Sequence, residues 1–326
     1  MERREFIALL GGASAWPFAA RAQQTDMPVI GLLNSGSAAE YATRLKWYFE
    51  GLQATGFTEG KNVKVEYRWA DGDSSKLPAM AADLVQRGVA VIATPASTPA
   101  TAAAIAATKT IPIVFAIGAD PMELGFVPSL AHPGGNATGV TSLNTDVASK
   151  RLSLFREIVP KATHYFAMVN PTSPLMAPYI KDLEYGAKLV GIQVDVLKAG
   201  TDAEIDTALA TVAKEPGAVL LTASDSFFYI RRKQLVALAI ARKIPTAFDT
   251  HEYVDEGGLM SYGSDFSDVM GQAGRYTGRI LKGEKPGDLP VSQSSKFEFA
   301  LNLKTALALD ITVPGRLEAI ASHVVE

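Results

Sequence analysis

Apolar and polar positions along this chain switch repeatedly between a two-residue and a 3.6-residue period, and that switching sketches the fold. "MPVIGLLNSG" (27–36) is a β-rich run ending in turn residues, the pattern of a buried strand feeding a loop. Helical spacing follows from Tyr41 to Thr55 and stops at Gly56. "VKVEYRW" (63–69) alternates as a strand, "KLPAMAADLVQRG" (76–88) reads as a helix, and "VAVIAT" (89–94) is again a strand. A helix over 98–108 and the strand "IPIVFAI" (111–117) complete the series. Strands separated by helices of about 10–15 residues imply βαβ units and a parallel sheet.

The same order then recurs. "HYFAMVN" (164–170) precedes a helix near 177–190, then "IQVDVLKAG" (192–200) and a helix at 203–214. "GAVLLTASD" (217–225), a helix at 231–242 and "IPTAFD" (244–249) follow. Asn34 corresponds to Asn170, 136 residues apart, and Pro112 to Pro245, 133 apart. Two βα halves of similar length predict two similar lobes rather than one domain with a cap. "GGLMSYG" (257–263) adds a strand, 265–282 a helix, and 297–311 a final strand and helix after the connector "KGEKPGDLP" (282–290). Material left after the second half must return to both lobes. Crossings are expected near Thr141–Asn144, Phe248–Asp255 and Lys285–Val291, where Gly, Pro and Asp permit backbone change.

The N-terminus does not fit this scheme. In "MERREFIALLGGASAWPFAARAQQ", two arginines precede a short apolar run that ends in Ala20-Arg21-Ala22. That is the layout of a cleavable export signal, with cleavage expected after Ala22. The pair Arg3-Arg4 followed by x-Phe-Ile also resembles a twin-arginine export signal, although Glu2 and Ala8 depart from it. No other stretch approaches roughly 18 uninterrupted apolar residues, so a soluble mature protein is expected. The chain has 326 residues, a net charge of −3 and no cysteine. The charge gives no reason to expect nucleic acid or an anionic membrane as partner. Without cysteine there can be no disulfide, thiol catalysis, thiolate-bound metal or lipidated cysteine. An exported, unanchored protein points to the periplasm.

Catalytic patterns are largely missing. No G-x-G-x-x-G follows the first strand, no G-x-S-x-G elbow occurs, and "GFTEGKN" is one residue short of a P-loop. "HEYVD" (251–255) has Asp255 where the zincin motif needs its second histidine, so an ordinary role for His251 is the reading. No metal or cofactor is implied, and an enzyme here would have to be carboxylate-based.

The strand ends carry the candidate chemistry, because ligands of open α/β sheets bind beyond the carboxyl ends of the strands. In the first half these ends hold Asn34, Ser35, Thr94, Ser97, Thr98 and Asp120; in the second, Asn170, Ser173, Asp225, Phe227 and Asp249. Such short hydroxyls, amides and single carboxylates suit a small polar solute. Ser97 and Thr98 precede a helix, where they either cap it or help hold a carboxylate. Asp120 and Asp225 either neutralise an ammonium group or simply favour turns. Of Phe227, Phe228 and Tyr229, at least one is expected in the core and the others could form an aromatic wall.

"GLQATGFTEGKNVKVEYRWADGD", "IPIVFAIGADPMELGFVPSLAHPGGNATGV", "EYVDEGGLMSYG" and "ILKGEKPGDLPV" resemble ABC-transporter substrate-binding proteins of the TrpX-like type, a likeness running from Pro28 to the C-terminus. The resemblance implies a type I periplasmic-binding fold: two Rossmann-like lobes with parallel sheets joined by a three-strand hinge. Lobe 1 would comprise 27–142 plus 256–287, and lobe 2 143–255 plus 291–326. It also implies capture of a small ligand, an aromatic amino acid or related carboxylate, by lobe closure. Partners would be an ABC permease with its ATPase, and the protein itself a monomer. Thr94, Asp120, Asp225 and the loop at Thr172-Ser173 match that type's cleft, while Asn34–Ser37 lacks the aromatic or histidine that some members carry. Rival classes are a periplasmic sensing subunit for a membrane receptor and a periplasmic carboxylate-based enzyme.

Overall fold

The computed structural model describes residues 27–326, so the export signal expected over 1–22 lies outside the described residues. The chain begins with β1 (Val29–Asn34), α1 (Ala38–Gln53), β2 (Lys64–Trp69), α2 (Leu77–Gln86), β3 (Val91–Thr94), α3 (Thr98–Ala107), β4 (Ile113–Ile117) and β5 (Ala137–Thr141). It continues with α4 (Ala148–Ile158), β6 (His164–Val169), α5 (Met176–Leu189), β7 (Val194–Lys198), α6 (Asp202–Val212) and β8 (Ala218–Thr222). Next come α7 (Ser226–Ile230), α8 (Arg232–Ala241), β9 (Thr246–Phe248), α9 (His251–Asp255) and β10 (Met260–Ser264). The last elements are α10 (Phe266–Leu281), β11 (Ser292–Gln293), β12 (Phe297–Asn302), α11 (Leu303–Ala308), α12 (Gly315–Ile320) and β13 (His323–Val325). No helix among the described residues is long and apolar enough to cross a membrane.

Two sheets result, ordered β11-β5-β4-β3-β1-β2 and β13-β12-β10-β9-β8-β6-β7. The inner strands β3, β4 and β8 are apolar and buried along their length, as strands covered by helices on both faces must be. The halves correspond in detail. Pro112 and Pro245 precede β4 and β9, and their carbonyls accept from Ile92 and Leu220 on the neighbouring strands at 2.8 and 3.0 Å. Asn34 ends β1 and Asn170 directly follows β6, and each folds its Oδ1 back onto a backbone N–H two residues on.

The lobe boundaries differ from the expected ones. The strand at 257–263, expected in lobe 1, is β10 and lies in the second sheet between β9 and β12. The segment Phe248–Asp255 is therefore no crossing: it ends β9 and forms α9, with Tyr253 stacked on Phe248 at 4.5 Å. Its residues form a short helix entered at Thr250 without a side-chain cap bond, and not a linker. Lys285–Val291 is likewise attached to the first lobe, through Thr138 Oγ1 on the Leu289 carbonyl (2.7 Å) and Val291 N on the Leu130 carbonyl (2.7 Å).

The chain does pass between sheets at 142–143, within the expected Thr141–Asn144, but its other two passages lie at 264–266 and at 294–296. These three passages lie side by side. Ser264 donates to Asn144 Oδ1 (2.7 Å) and to the Ser142 carbonyl (2.5 Å), Asp265 N to the Lys296 carbonyl (3.0 Å), and Ser294 N to the Thr141 carbonyl (2.9 Å). The third passage explains the one antiparallel pair among the described strands. Since 294–296 runs beside 264–266, β12 starts where β10 ends and must run back along it, Phe297 facing Ser264. A parallel entry would need a crossover of a dozen or more residues.

Helix α10 returns to the first lobe and packs on α1 through glycines. A Cβ on Gly274 would sit 1.9 Å from the Tyr48 carbonyl oxygen, and one on Gly51 2.0 Å from that of Gly271. Only backbones without side chains can approach so closely. Several elements escaped the reading of the sequence: β5 and α4, the short α7, α9 and β11, and α12 and β13 near the C-terminus. Helix α4 has Lys150, Arg151 and Arg156 within eleven residues, and those charges mask its apolar stripe.

Candidate functional site

The first-lobe strand ends are tied to one another. Asn34 Nδ2 donates to the Pro95 carbonyl at 2.7 Å, and its Oδ1 accepts from Gly36 N at 2.8 Å. Ser97 Oγ donates to Ser35 Oγ at 2.9 Å and accepts from Ser35 N at 3.3 Å. Ser97 occupies the N-cap of α3 without making a side-chain cap bond. Thr94 and Thr101 share a hydroxyl contact at 2.8 Å. Asp120 uses Oδ1 to hold a turn, accepting from Met122 N at 2.7 Å, and lines neither cavity described below. Expectations that Asn34, Thr94 and Asp120 serve a ligand thus meet side chains engaged in turns and loops.

The second-lobe ends are arranged differently. Asp225 caps α7, accepting from Phe227 N at 2.7 Å and from Asn170 Nδ2 at 3.2 Å. Asp249, at the end of β9, accepts from Ser224 Oγ at 2.6 Å. Burial pushes both carboxyls above the ordinary aspartate range, only partly opposed by the hydrogen bonds at Asp225 and by Arg151 and Ser224 at Asp249.

Two connected spaces lie between these sets. A groove of about 780 Å³ is lined by Ser35, Pro99 and Asp73 from one lobe and by Asn170, Ser173, Asp225, Phe227 and Arg231 from the other. It shares Pro99, Asp225 and Ser226 with a narrow inner cavity. That cavity offers about 30 Å³ of water-sized room within a gap of about 450 Å³ that reaches solvent. Thr98, Gly118, Ser224, Asp249, Tyr229 and Phe266 border it, together with Arg44. Of the side chains anticipated from sequence, Ser35, Thr98, Asn170, Ser173, Asp225, Phe227 and Asp249 are brought to this cleft; Ser97 sits directly behind Ser35. Phe228 belongs to the core, as expected for one of the three consecutive aromatics.

Arg44 was not legible as a site residue. It lies on α1, 3% exposed, and its Nε donates to Glu252 Oε1 across the lobes at 2.8 Å. Its Cζ lies 3.5 Å from the Tyr229 ring centre and 3.9 Å from that of Phe266. Burial would raise the Glu252 carboxyl, but the adjacent guanidinium overrides this and holds it at about 2. Tyr229 adds a hydrogen bond to the same Oε1 at 3.3 Å, and Tyr41 meets Tyr229 edge-on across the lobes at 5.2 Å. The lobes are therefore in contact around one charged contact. Arg151 on α4 is the second missed residue: fully buried, it donates to the carbonyls of Tyr262 (2.8 Å) and Thr222 (3.4 Å) and its charge steadies Asp249 from below. Only a sense that "TRLKWYF" and "ASKRLSLF" place an arginine inside an apolar helical face could have flagged them. His251 of "HEYVD" is engaged with Glu298 at 2.8 Å, outside the cleft.

Residues 39–325 match the family model described as ABC transporter substrate binding protein. A tyrosine-binding protein of Clostridioides difficile is 28% identical over 267 residues, 82% of this chain and 76% of that protein. A solved ABC domain in complex with L-Trp from Streptococcus pneumoniae is 26% identical, with a TM-score of 0.84 over 91% of this chain and 99% of that one. The two-lobed architecture is that of type I periplasmic binding proteins. A periplasmic binding protein/LacI transcriptional regulator from Alkaliphilus metalliredigens shares it at 13% identity, with a TM-score of 0.57 over 83% and 96% of the two chains.

Proposed function

From the premise that the chain belongs to the ABC transporter substrate-binding protein family, we propose that it is an exported, periplasmic receptor that closes two lobes around an aromatic amino acid and delivers it to an ABC permease and its ATPase. The observation that carries the reading is the cleft itself. Asp225 and Asp249 stand at strand ends of one lobe, facing Thr98 and Arg44 of the other, with Tyr229 and Phe266 as aromatic walls. The buried carboxylates suit an ammonium group and the rings suit a flat apolar side chain. The Tyr and Trp ligands named for the relatives are consistent with that chemistry. A micromolar complex needs about −8 kcal/mol, within reach of one desolvated ring and a few charge-assisted hydrogen bonds once ordering costs are subtracted.

Closure would proceed about the three adjacent passages at 142–143, 264–266 and 294–296, each lobe moving as a body. Ligand favours the closed form because only there do both lobes touch it. Titration calorimetry with L-tryptophan and L-tyrosine, paired with solution scattering, tests both parts. Saturable binding with a smaller radius of gyration is expected. Absence of heat with every aromatic amino acid would remove the ligand class, and an unchanged radius on binding would remove the closure.

A further inference from the structure

Resting on the reading of the cleft as an amino-acid site, the geometry of Arg44 points to a definite role within it. The two faces of the guanidinium are covered by the rings of Tyr229 and Phe266. Its Nε is engaged by Glu252, which approaches from the side with Oε1 alone, while Oε2 has no donor among the described residues. What remains is the Nη edge. Neither Nη nitrogen has an acceptor among the described residues, yet neither is sealed from the surroundings as the orphaned Nη2 of Arg151 is. Arg44 borders the inner cavity, whose 30 Å³ of room is enough for about two waters, comparable to the two oxygens of a carboxylate. A planar fork with both faces blocked and one edge occupied can accept one more partner, end-on and bidentate.

We propose that the Nη edge of Arg44 receives the ligand's carboxylate, so that the cleft selects a free α-amino acid over the matching amine or amide. Asp225 and Asp249 border the same cavity and would take the ammonium group, dividing the zwitterion between a helix of one lobe and strand ends of the other. Glu252 acts as a positioning residue, holding the guanidinium edge toward the cavity through Nε.

The test uses the full secreted chain and two probe sets, the L-amino acids and their carboxamides, with tryptophan and tyrosine first. The wild type should prefer L-tryptophan over L-tryptophanamide by about 100-fold, the scale of a bidentate charged contact. The Arg44→Gln/Glu252→Gln double variant removes both charges together, leaves no lone buried ion, and should lose that preference while still unfolding cooperatively. If it does not fold, Arg44→Lys serves instead: it keeps the charge without the fork and should lose about 10-fold for the acid and nothing for the amide. Equal affinity of the wild type for acid and amide overturns the role of Arg44 and leaves the aromatic-ligand reading standing. Binding confined to non-aromatic amino acids removes that reading, and the acid-to-amide ratio for those ligands still decides Arg44. No binding of any amino acid overturns both.

Discussion

In the first lobe, Asn34 closes the turn after β1 and sends its amide to the carbonyl of Pro95; in the second, Asn170 closes the same turn after β6 and sends its amide to the carboxylate of Asp225. The corners these amides reach correspond, one leading to α3 and the other to α7. A backbone carbonyl occupies one and an ionisable side chain the other. The first-lobe loops thereby become a closed set in which Ser35, Ser97, Thr94 and Thr101 satisfy one another. The second-lobe loops keep two buried carboxyls at the cleft. A repeat of structure is not a repeat of chemistry: one lobe supplies shape at its strand ends, and its charge comes from Arg44 on a helix.

The comparison breaks first on stability. Asn34→Ala would leave the buried Pro95 carbonyl and Gly36 N–H unpaired, each at about 1–3 kcal/mol, so a loss of about 2–6 kcal/mol is expected. Affinity of the molecules that remain folded should be unchanged. Denaturant unfolding and calorimetry on one sample check both. A large loss of affinity at intact stability would mean that the first-lobe turn serves the ligand as the second-lobe turn does.

Next in size is the acid limb of unfolding, which probes where the lobes meet. Arg44 holds Glu252 at about 2, below the ordinary value of about 4.3. The pair's contribution is therefore complete above that ordinary value and is lost as pH falls towards 2, about 3 kcal/mol in all. Asp225 and Asp249 act with opposite sign. Their raised values mean that ionising them in the fold costs stability at neutral pH, a cost relieved as pH drops below those values. The stability difference between wild type and Arg44→Gln/Glu252→Gln should hence shrink between about pH 4.3 and pH 2. A difference independent of pH would show that the first-lobe helix contributes packing and no charge.

Asp225→Asn addresses the second lobe alone. Asparagine can cap α7 as well as aspartate does, and a buried charge is removed, so stability should hold or rise. Affinity for an amino acid should fall by about 1.5–3 kcal/mol, the scale of a charged hydrogen bond. Equal calorimetric affinities for wild type and variant would assign Asp225 to the turn only, making the two lobes alike after all.

How much of this was legible follows from the range of each signal. The βα alternation, the Asn34/Asn170 and Pro112/Pro245 correspondences and the two-lobed form are local patterns and could be read directly. The helix expected at 231–242 is α8, whereas α7, which ends at Ile230 just ahead of it, escaped because it is a separate turn of only five residues capped by Asp225. Membership of β10 in the second sheet depends on pairing with β9 and β12, and nothing in "GGLMSYG" specifies a partner. Asn170, Ser173, Asp225 and Asp249, which border the cleft, are legible because short polar side chains at strand ends stand out after apolar runs. Arg44 was invisible for the opposite reason. On an amphipathic helix a buried arginine looks like a surface one until Glu252, some two hundred positions later, is known to face it.

The smallest expected effect is also the sharpest probe of the comparison. Ser97 was a natural candidate for holding a ligand carboxylate at the start of α3, yet its hydroxyl is used on Ser35 and makes no cap bond to the helix. Ser97→Ala should therefore remove both bonds that its hydroxyl makes to Ser35, one of them long at 3.3 Å, at a cost of about 1 kcal/mol, since no cap is lost and the helix entry is unaffected. In a protein with lobes of this size that corresponds to a fall of about 2–4 °C in Tm. Affinity should be unchanged within error, because the hydroxyl sits behind Ser35 and does not border the inner cavity. A tenfold weaker ligand with Tm unmoved would place Ser97 on the ligand, and the carboxylate would then lie at the start of α3 instead of on Arg44. The same sample of variant thus weighs a helix start against a buried guanidinium, two ways for one lobe to hold the same anionic group.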